Sequence, residues 1–242
     1  MRGAQTERMT LVLLPGLDGT AVFFEPLLAA LPQGVRPLVV TYPQSTNHGY
    51  AELLALVRER LAGVSECWVL GWSFSGPLAL MLAMAEPHKV RGVILSATFV
   101  RTPNPILRRL RHVLCAPTVL TWRIARRLPL WLFRPRTDPM RRAKNETLRM
   151  IPSGVLAARL RAILVVDARD PLRACPQPVL YIASSRDGIV PPRNLHEIRQ
   201  LRPSVQVAVI DGPHQAMYTN PDAAAAAIEQ FIGGTGTPGT AA

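Results

Sequence analysis

The stretch at residues 67–77, CWVLGWSFSGP, constrains the fold more than any other in this 242-residue chain. A run of strand character ends in Gly-x-Ser-x-Ser-Gly and passes straight into an apolar helical segment over residues 78–85. A strand that turns this sharply into a helix needs small side chains on both sides of the turn, because the two backbones nearly touch. Gly71 meets that need on the strand side. Ser75 stands on the helix side, where glycine is more usual. Such a turn holds the Ser73 hydroxyl above a parallel sheet and aims the free N–H groups of the helix N-terminus at whatever lies beside it.

The rest of the chain repeats the same alternation. Apolar runs predict strands over residues 9–14, 36–41, 66–70, 90–97, 179–183 and 205–210. Helical patterns fall over residues 23–31, 50–61, 194–201 and 222–232; in the second, Leu53, Val57 and Leu61 share one face. Continuous apolar strands alternating with amphipathic helices predict an α/β fold, with a six-stranded, mainly parallel sheet covered by helices on both faces. The alternation breaks over residues 101–173, which read as short helices separated by prolines. That span is too long for a bare loop. It reads as a helical lid inserted into a core formed by residues 1–100 and 174–232, with residues 233–242, GGTGTPGTAA, as a disordered tail.

Two further loops carry groups that suit the serine. SSRDGIVPP follows the fifth predicted strand and contains Asp187; DGPHQ follows the sixth and contains His214. With Ser73, all three lie at the carboxyl ends of parallel strands, where ligand-facing residues of open α/β sheets gather. A serine hydroxyl is a weak nucleophile until an imidazole removes its proton, and a carboxylate fixes the tautomer of that imidazole. The order Ser73, Asp187, His214 therefore points to nucleophilic catalysis. Backbone N–H groups would hold the oxyanion: that of Phe74, next to the nucleophile, and that of Leu17, in the loop PGLDGT after the first strand. Asp211, Asp167 and Asp170 are rival acids, whereas Ser96-Ala97-Thr98 after the fourth strand offers no carboxylate. His48, His88, His112 and His196 do not follow a core strand. Trp72 and Ser75 flank the turn and have two readings each, as packing beneath it or as part of a substrate pocket.

Four segments, LLPGLDGT, GWSFSGPLA, PVLYIASSRDGIVPP and GPHQAMYTNPD, resemble in order the α/β-hydrolase superfamily over residues 9–232, apart from the lid. CWVLGWSFSG and HKVRGVILSATF look particularly like the small carboxylesterases, among them the biotin-pathway methyl esterase that acts on pimeloyl-acyl carrier protein. Three features depart from the family pattern. Pro15-Gly16 replaces its usual His-Gly, Ser75 replaces glycine, and the chain begins almost at the family's third strand. The resemblance implies hydrolysis of carboxylic esters through an acyl-Ser73 intermediate, with no metal and no cofactor. The apolar lid favours acyl or otherwise hydrophobic substrates. A thioesterase or acyltransferase using the same triad is the alternative; a non-catalytic binding protein on a hydrolase scaffold is a more distant one.

Charge bears on partners. The formal net charge is +12, and residues 101–144 hold twelve cations against one acid, Asp138. These arginines interleave with Leu110, Leu114, Trp122, Trp131 and Phe133. One reading is an ordinary lid with a solvated cationic face. The other is a surface for an acyl carrier protein or anionic lipid headgroups. No nucleic-acid-binding motif accompanies the charge. Cys67, Cys115 and Cys175 are too few and too scattered for a disulfide framework or a zinc site, and read as free thiols. The first ten residues lack the apolar core of a secretory signal, and no apolar run approaches the roughly 20 residues of a spanning helix. A cytoplasmic protein that does not span the membrane is expected.

Overall fold

The computed structural model describes residues 9–45, 48–103 and 139–235. Its sheet is built from β1 (Met9–Leu14), β2 (Val35–Val39), β3 (Cys67–Trp72), β4 (Val90–Ser96), β5 (Val179–Ser184) and β6 (Gln206–Ile210). The strand order is β2-β1-β3-β4-β5-β6, and all five neighbouring pairs are parallel. The chain leaves β1 for one side, adds β2, then returns to add β3 on the other side. The carboxyl ends of β1 and β3 therefore flank the switch point, where doubly wound sheets open a crevice.

Alternate strand residues supply two cores. Val12, Leu14, Val69, Val93, Leu95, Val179 and Tyr181 point to one face. There they meet α2 (Tyr50–Arg60), α3 (Gly76–Ala85) and further helices that carry Leu172 and Ile198. Leu11, Leu13, Trp68, Leu70, Ile94, Leu180 and Ile182 point to the other face. They meet Leu27 of α1 (Glu25–Ala30) and Ala224, Ile228 and Phe231 of the last helix. Burial on both faces explains why the strands read as unbroken apolar runs. The two edge strands are the exceptions. β2 carries Pro37 at its exposed edge, and Val207 and Val209 of β6 are exposed.

The insertion after β4 is closed at its base. Ala168 donates its N–H to Val100 O at 2.6 Å, and Arg101 bridges Asp167 in antiparallel fashion. Between these points lie α4 (Pro139–Met150) and α5 (Ser153–Val165); α6 (Arg169–Ala174) follows. Val166, Ala168 and Leu172 are buried in the same core as the strands. α6 packs against α3 there, which covers its apolar face. Residues 104–138, which include most of the basic stretch and Cys115, lie outside the described residues.

Three helices complete the described residues: α7 (Arg193–Leu201), the single turn α8 (Ala216–Thr219), and α9 (Pro221–Thr235). α9 runs on through Gly233 and Gly234 instead of stopping at residue 232; the remainder of the expected tail, residues 236–242, is outside the described residues. Among the described residues no helix is long and apolar enough to cross a membrane.

Candidate active site

β3 extends to Trp72, and Ser73–Ser75 form a tight 3₁₀ turn that leads into α3. Ser73 has φ 51°, a left-handed conformation that costs a side-chain-bearing residue free energy and persists only where neighbours enforce it. The neighbours are identifiable. A Cβ on Gly71 would collide with the Ser75 carbonyl oxygen, so only glycine lets strand and helix approach this closely. The Ser73 carbonyl accepts the N–H of Gly76 and the hydroxyl hydrogen of Thr98, which lies just beyond β4. Tyr181 Oη holds Thr98 in turn, accepting from its N–H at 3.1 Å and donating to its carbonyl at 2.9 Å.

His214 and Asp187 meet this serine. Ser73 Oγ lies 2.9 Å from His214 Nε2, and His214 Nδ1 lies 2.8 Å from Asp187 Oδ2. An ionised carboxylate only accepts, so Nδ1 carries the proton and Nε2 of the neutral ring accepts from the serine hydroxyl. The other carboxylate oxygen of Asp187 accepts the N–H groups of Ile189 at 2.8 Å and Val190 at 2.9 Å. Burial alone would raise the Asp187 carboxyl. The His214 hydrogen bond and these two N–H groups outweigh it and leave the group below its ordinary value. Both side chains are nearly enclosed, at 6% exposure for His214 and 9% for Asp187. The rival acids are engaged elsewhere. Asp211 accepts from Ser185 Oγ at 2.7 Å and pairs with Arg186 at the surface. Asp167 pairs with Arg169, and Asp170 with Arg173.

The loop after β1 faces the same serine turn. Its Gly19 N–H donates to Gly16 O at 3.0 Å, closing a four-residue turn, and Tyr42 N–H donates to Gly19 O at 2.8 Å. N–H and C=O point in opposite directions from a trans peptide plane. Tying Gly16 O inward therefore turns the Leu17 N–H outward, and tying Ser73 O to Thr98 and Gly76 does the same for the Phe74 N–H. Phe74 is fully buried and Leu17 partly so. Tyr50 Oη also donates to Phe74 O at 2.8 Å, with its ring stacked on that of Phe74 at 4.8 Å.

Trp72 and Ser75, which had two readings each, both pack inside the protein. Ser75 is fully buried; its hydroxyl donates to Pro15 O and bonds Tyr42 Oη at 2.5 Å. It fastens the serine turn to the β1 loop, which accounts for a serine where glycine is more usual. Trp72 is 5% exposed and packs on Phe23 at 5.2 Å and His214 at 5.8 Å between ring centroids. It is a floor beneath the histidine. Thr98, Tyr42, Tyr50 and Arg159 are site residues that local motifs do not announce. Arg159 of α5 is 1% exposed and donates to the carbonyls of Leu17 and Asp18. Cys67 and Cys175 are buried free thiols, and burial pushes the Cys67 thiol up to about 11. Among the described residues no cluster of three or more His, Cys, Asp or Glu could hold a metal ion.

The sequence profile of the Alpha/beta hydrolase family matches residues 11–227. The chain belongs to this family. Among curated proteins, it is 25% identical over 232 residues to the putative carbamate hydrolase RutD of Stutzerimonas stutzeri, covering 87% of this chain and 86% of that one. It is 28% identical over 242 residues to the pimeloyl-[acyl-carrier protein] methyl ester esterase of Xanthomonas oryzae pv. oryzae, covering 92% and 94%. Among solved structures, a thermophilic esterase from Thermogutta terrifontis superposes with a TM-score of 0.78 at 20% identity, covering 95% of this chain and 91% of that one. MenH from S. aureus gives 0.76 at 16% identity, covering 95% of each. At those identities the structures show the shared α/β-hydrolase fold.

Proposed function

We propose that this hydrolase cleaves carboxylic esters of acyl or otherwise hydrophobic substrates through an acyl-Ser73 intermediate. The observation that carries this reading is the hydrogen-bonded chain from Ser73 Oγ through His214 to Asp187, at 2.9 and 2.8 Å, on a serine held at positive φ. In the reaction, His214 Nε2 takes the hydroxyl proton as Oγ bonds to the ester carbonyl carbon. Asp187 stabilises the imidazolium. The N–H groups of Leu17 and Phe74 receive the negative carbonyl oxygen, and losing one such donor typically slows reactions of this type roughly 10²–10³-fold. His214 then returns its proton to the leaving alkoxide as the C–O bond breaks. Water repeats the sequence on the acyl-enzyme and releases the acid. A fluorophosphonate probe should label the wild type, and Ser73→Ala should abolish labelling; a labelled Ser73→Ala variant would move the nucleophile elsewhere.

The same acyl-enzyme serves a thioesterase or an acyltransferase, since only the leaving group or the acceptor differs. Product analysis with ester, thioester and alcohol acceptors separates these. A carrier-protein-linked ester is the second reading, supported by the Xanthomonas relative and by the twelve cations over residues 101–144. Under it, charge reversal at Arg123, Arg126 and Arg127 lowers activity on a carrier-linked ester, and added salt does the same. Activity indifferent to both would leave the free small-molecule ester as substrate.

A further inference from the structure

Arg159 stands on α5, in the insertion, in the mainly apolar sequence SGVLAARLRAILV, which also holds Arg161. It is among the largest fully buried side chains of the described residues. A guanidinium withdrawn from water is costly unless its N–H groups are bonded. No carboxylate among the described residues forms a salt bridge with it; the Asp18 carboxylate instead accepts the N–H of Thr20 at 2.9 Å and its hydroxyl hydrogen. The guanidinium is bonded to main-chain carbonyls. Nη1 donates to Leu17 O at 3.0 Å and Asp18 O at 2.8 Å, and Nη2 donates to Pro43 O at 3.0 Å. Its face lies over the Tyr42 ring, 5.6 Å from the centroid. A Cβ on Gly19 would come within 2.6 Å of Nη1, so the loop is shaped around the guanidinium.

The apolar contacts run the same way. Ile151, Val155, Leu156 and Ala157 form a small cluster of their own in the insertion, and the Leu17 side chain packs against it. On its far side the loop is fastened by the Ser75 hydroxyl at Pro15 O, with Tyr42 Oη on the same hydroxyl. Leu17 is therefore gripped on both neighbouring peptide planes. Gly16 O is fixed by Gly19 N–H, and Leu17 O by Arg159. With only two soft dihedrals per residue, fixing both planes fixes the direction of the Leu17 N–H.

We propose that Arg159 is a positioning residue for the oxyanion donor: by holding Leu17 O and Asp18 O it aims the Leu17 N–H, so that the site is complete only with α5 seated on the loop. This rests on the reading of Leu17 N–H as an oxyanion donor in ester cleavage. The planar fork of arginine spans three carbonyls from one fixed plane, which the single ammonium of lysine cannot do. The contribution is specific to the tetrahedral state, because the ester carbonyl asks less of the N–H than the oxyanion does.

Arg159→Lys and Arg159→Ala test this, with p-nitrophenyl ester kinetics normalised to the Ser73 sites that react with fluorophosphonate. Affinity for a trifluoromethyl ketone, which forms an oxyanion adduct on the serine, is measured beside affinity for the corresponding unreactive amide. The expected result is a loss of about 10²-fold in kcat per reactive site with KM held within about threefold. Affinity for the ketone falls in step while that for the amide stays. Arg159→Lys keeps the charge and much of the stem, and carries the test if Arg159→Ala does not fold. A folded Arg159→Lys variant that keeps wild-type kcat per reactive site overturns the inference and leaves the arginine a purely stabilising group. So does a loss that lies wholly in KM, or equally in both inhibitors. If the wild type itself hydrolyses no ester and Ser73 takes no probe, the catalytic reading fails and the proposed role of Arg159 falls with it, an outcome distinct from a wild-type-like Arg159→Lys variant in an active enzyme.

Discussion

Asp187 and His214 hold each other by side-chain bonds at the ends of β5 and β6, whereas the loop that carries Leu17 is held by its main-chain carbonyls. Its anchors come from distant parts of the chain: Ser75 after β3, Tyr42 after β2, and Arg159 in the insertion. One half of the site needs particular side chains at particular strand ends. The other half needs backbone groups, which almost any residue supplies, and depends on what grips them. The acid and base half should therefore fail by chemistry when substituted, and the loop half by geometry. Four substitutions test that division, in decreasing order of effect.

Asp187→Asn should lower kcat by about 10⁴-fold with the fold retained, since the amide favours the wrong imidazole tautomer. Steady-state kinetics beside circular dichroism measure both. The same variant has a pH signature. Because the folded state holds the Asp187 carboxyl below its ordinary value, its stabilising contribution is fully present above the ordinary aspartate range. It is lost as pH falls through the lower, folded value. Denaturant midpoints of wild type and Asp187→Asn should therefore converge in strong acid.

Thr98→Val removes the hydroxyl that fixes Ser73 O and should lower kcat by about tenfold, up to about 10²-fold, through a misaligned Phe74 N–H. Affinity for an unreactive substrate analogue should barely move. An unchanged kcat would mean that Gly76 alone suffices to set that peptide plane.

Ser75→Gly restores the residue more usual at this turn, yet it should destabilise the protein by about 1–2 kcal/mol, because buried Tyr42 Oη and Pro15 O both lose a partner. Its effect on kcat should be smaller than that of Thr98→Val. Chemical denaturation decides; a variant as stable as wild type would show that the hydroxyl merely fills space. Asp211→Asn should do least. Its pairing with Arg186 is exposed and screened by water, so stability should barely move and kcat should be unaffected. A large loss of kcat there would reopen the choice of acid.

The division also explains what could be read from the sequence. Six strands, their parallel arrangement and the loops that bring Ser73, Asp187 and His214 together were legible because burial on both faces writes an unbroken apolar run, and because each of the three residues closely follows one. Helix ends were less legible: α9 runs three residues past its expected end through two glycines, because Phe231 and Ile232 are already anchored against the sheet. Ser75 could be located but not assigned, since nothing local shows that its hydroxyl would meet Tyr42 across 33 residues. Arg159 was hidden altogether. Its partners lie 116 to 142 residues away and are all carbonyls, which carry no sequence signature. An arginine in a segment with so many others reads as one more surface cation until its burial is seen.

The central claim, an acyl group carried on Ser73, is open to direct observation. The wild type is mixed with excess p-nitrophenyl butyrate, quenched in acid within the first turnover, and digested for mass spectrometry. A butyryl increment on the peptide that contains Ser73, absent from a water-only control and from Ser73→Ala, is the predicted result. Rapid release of p-nitrophenol with the increment on another residue would contradict the account.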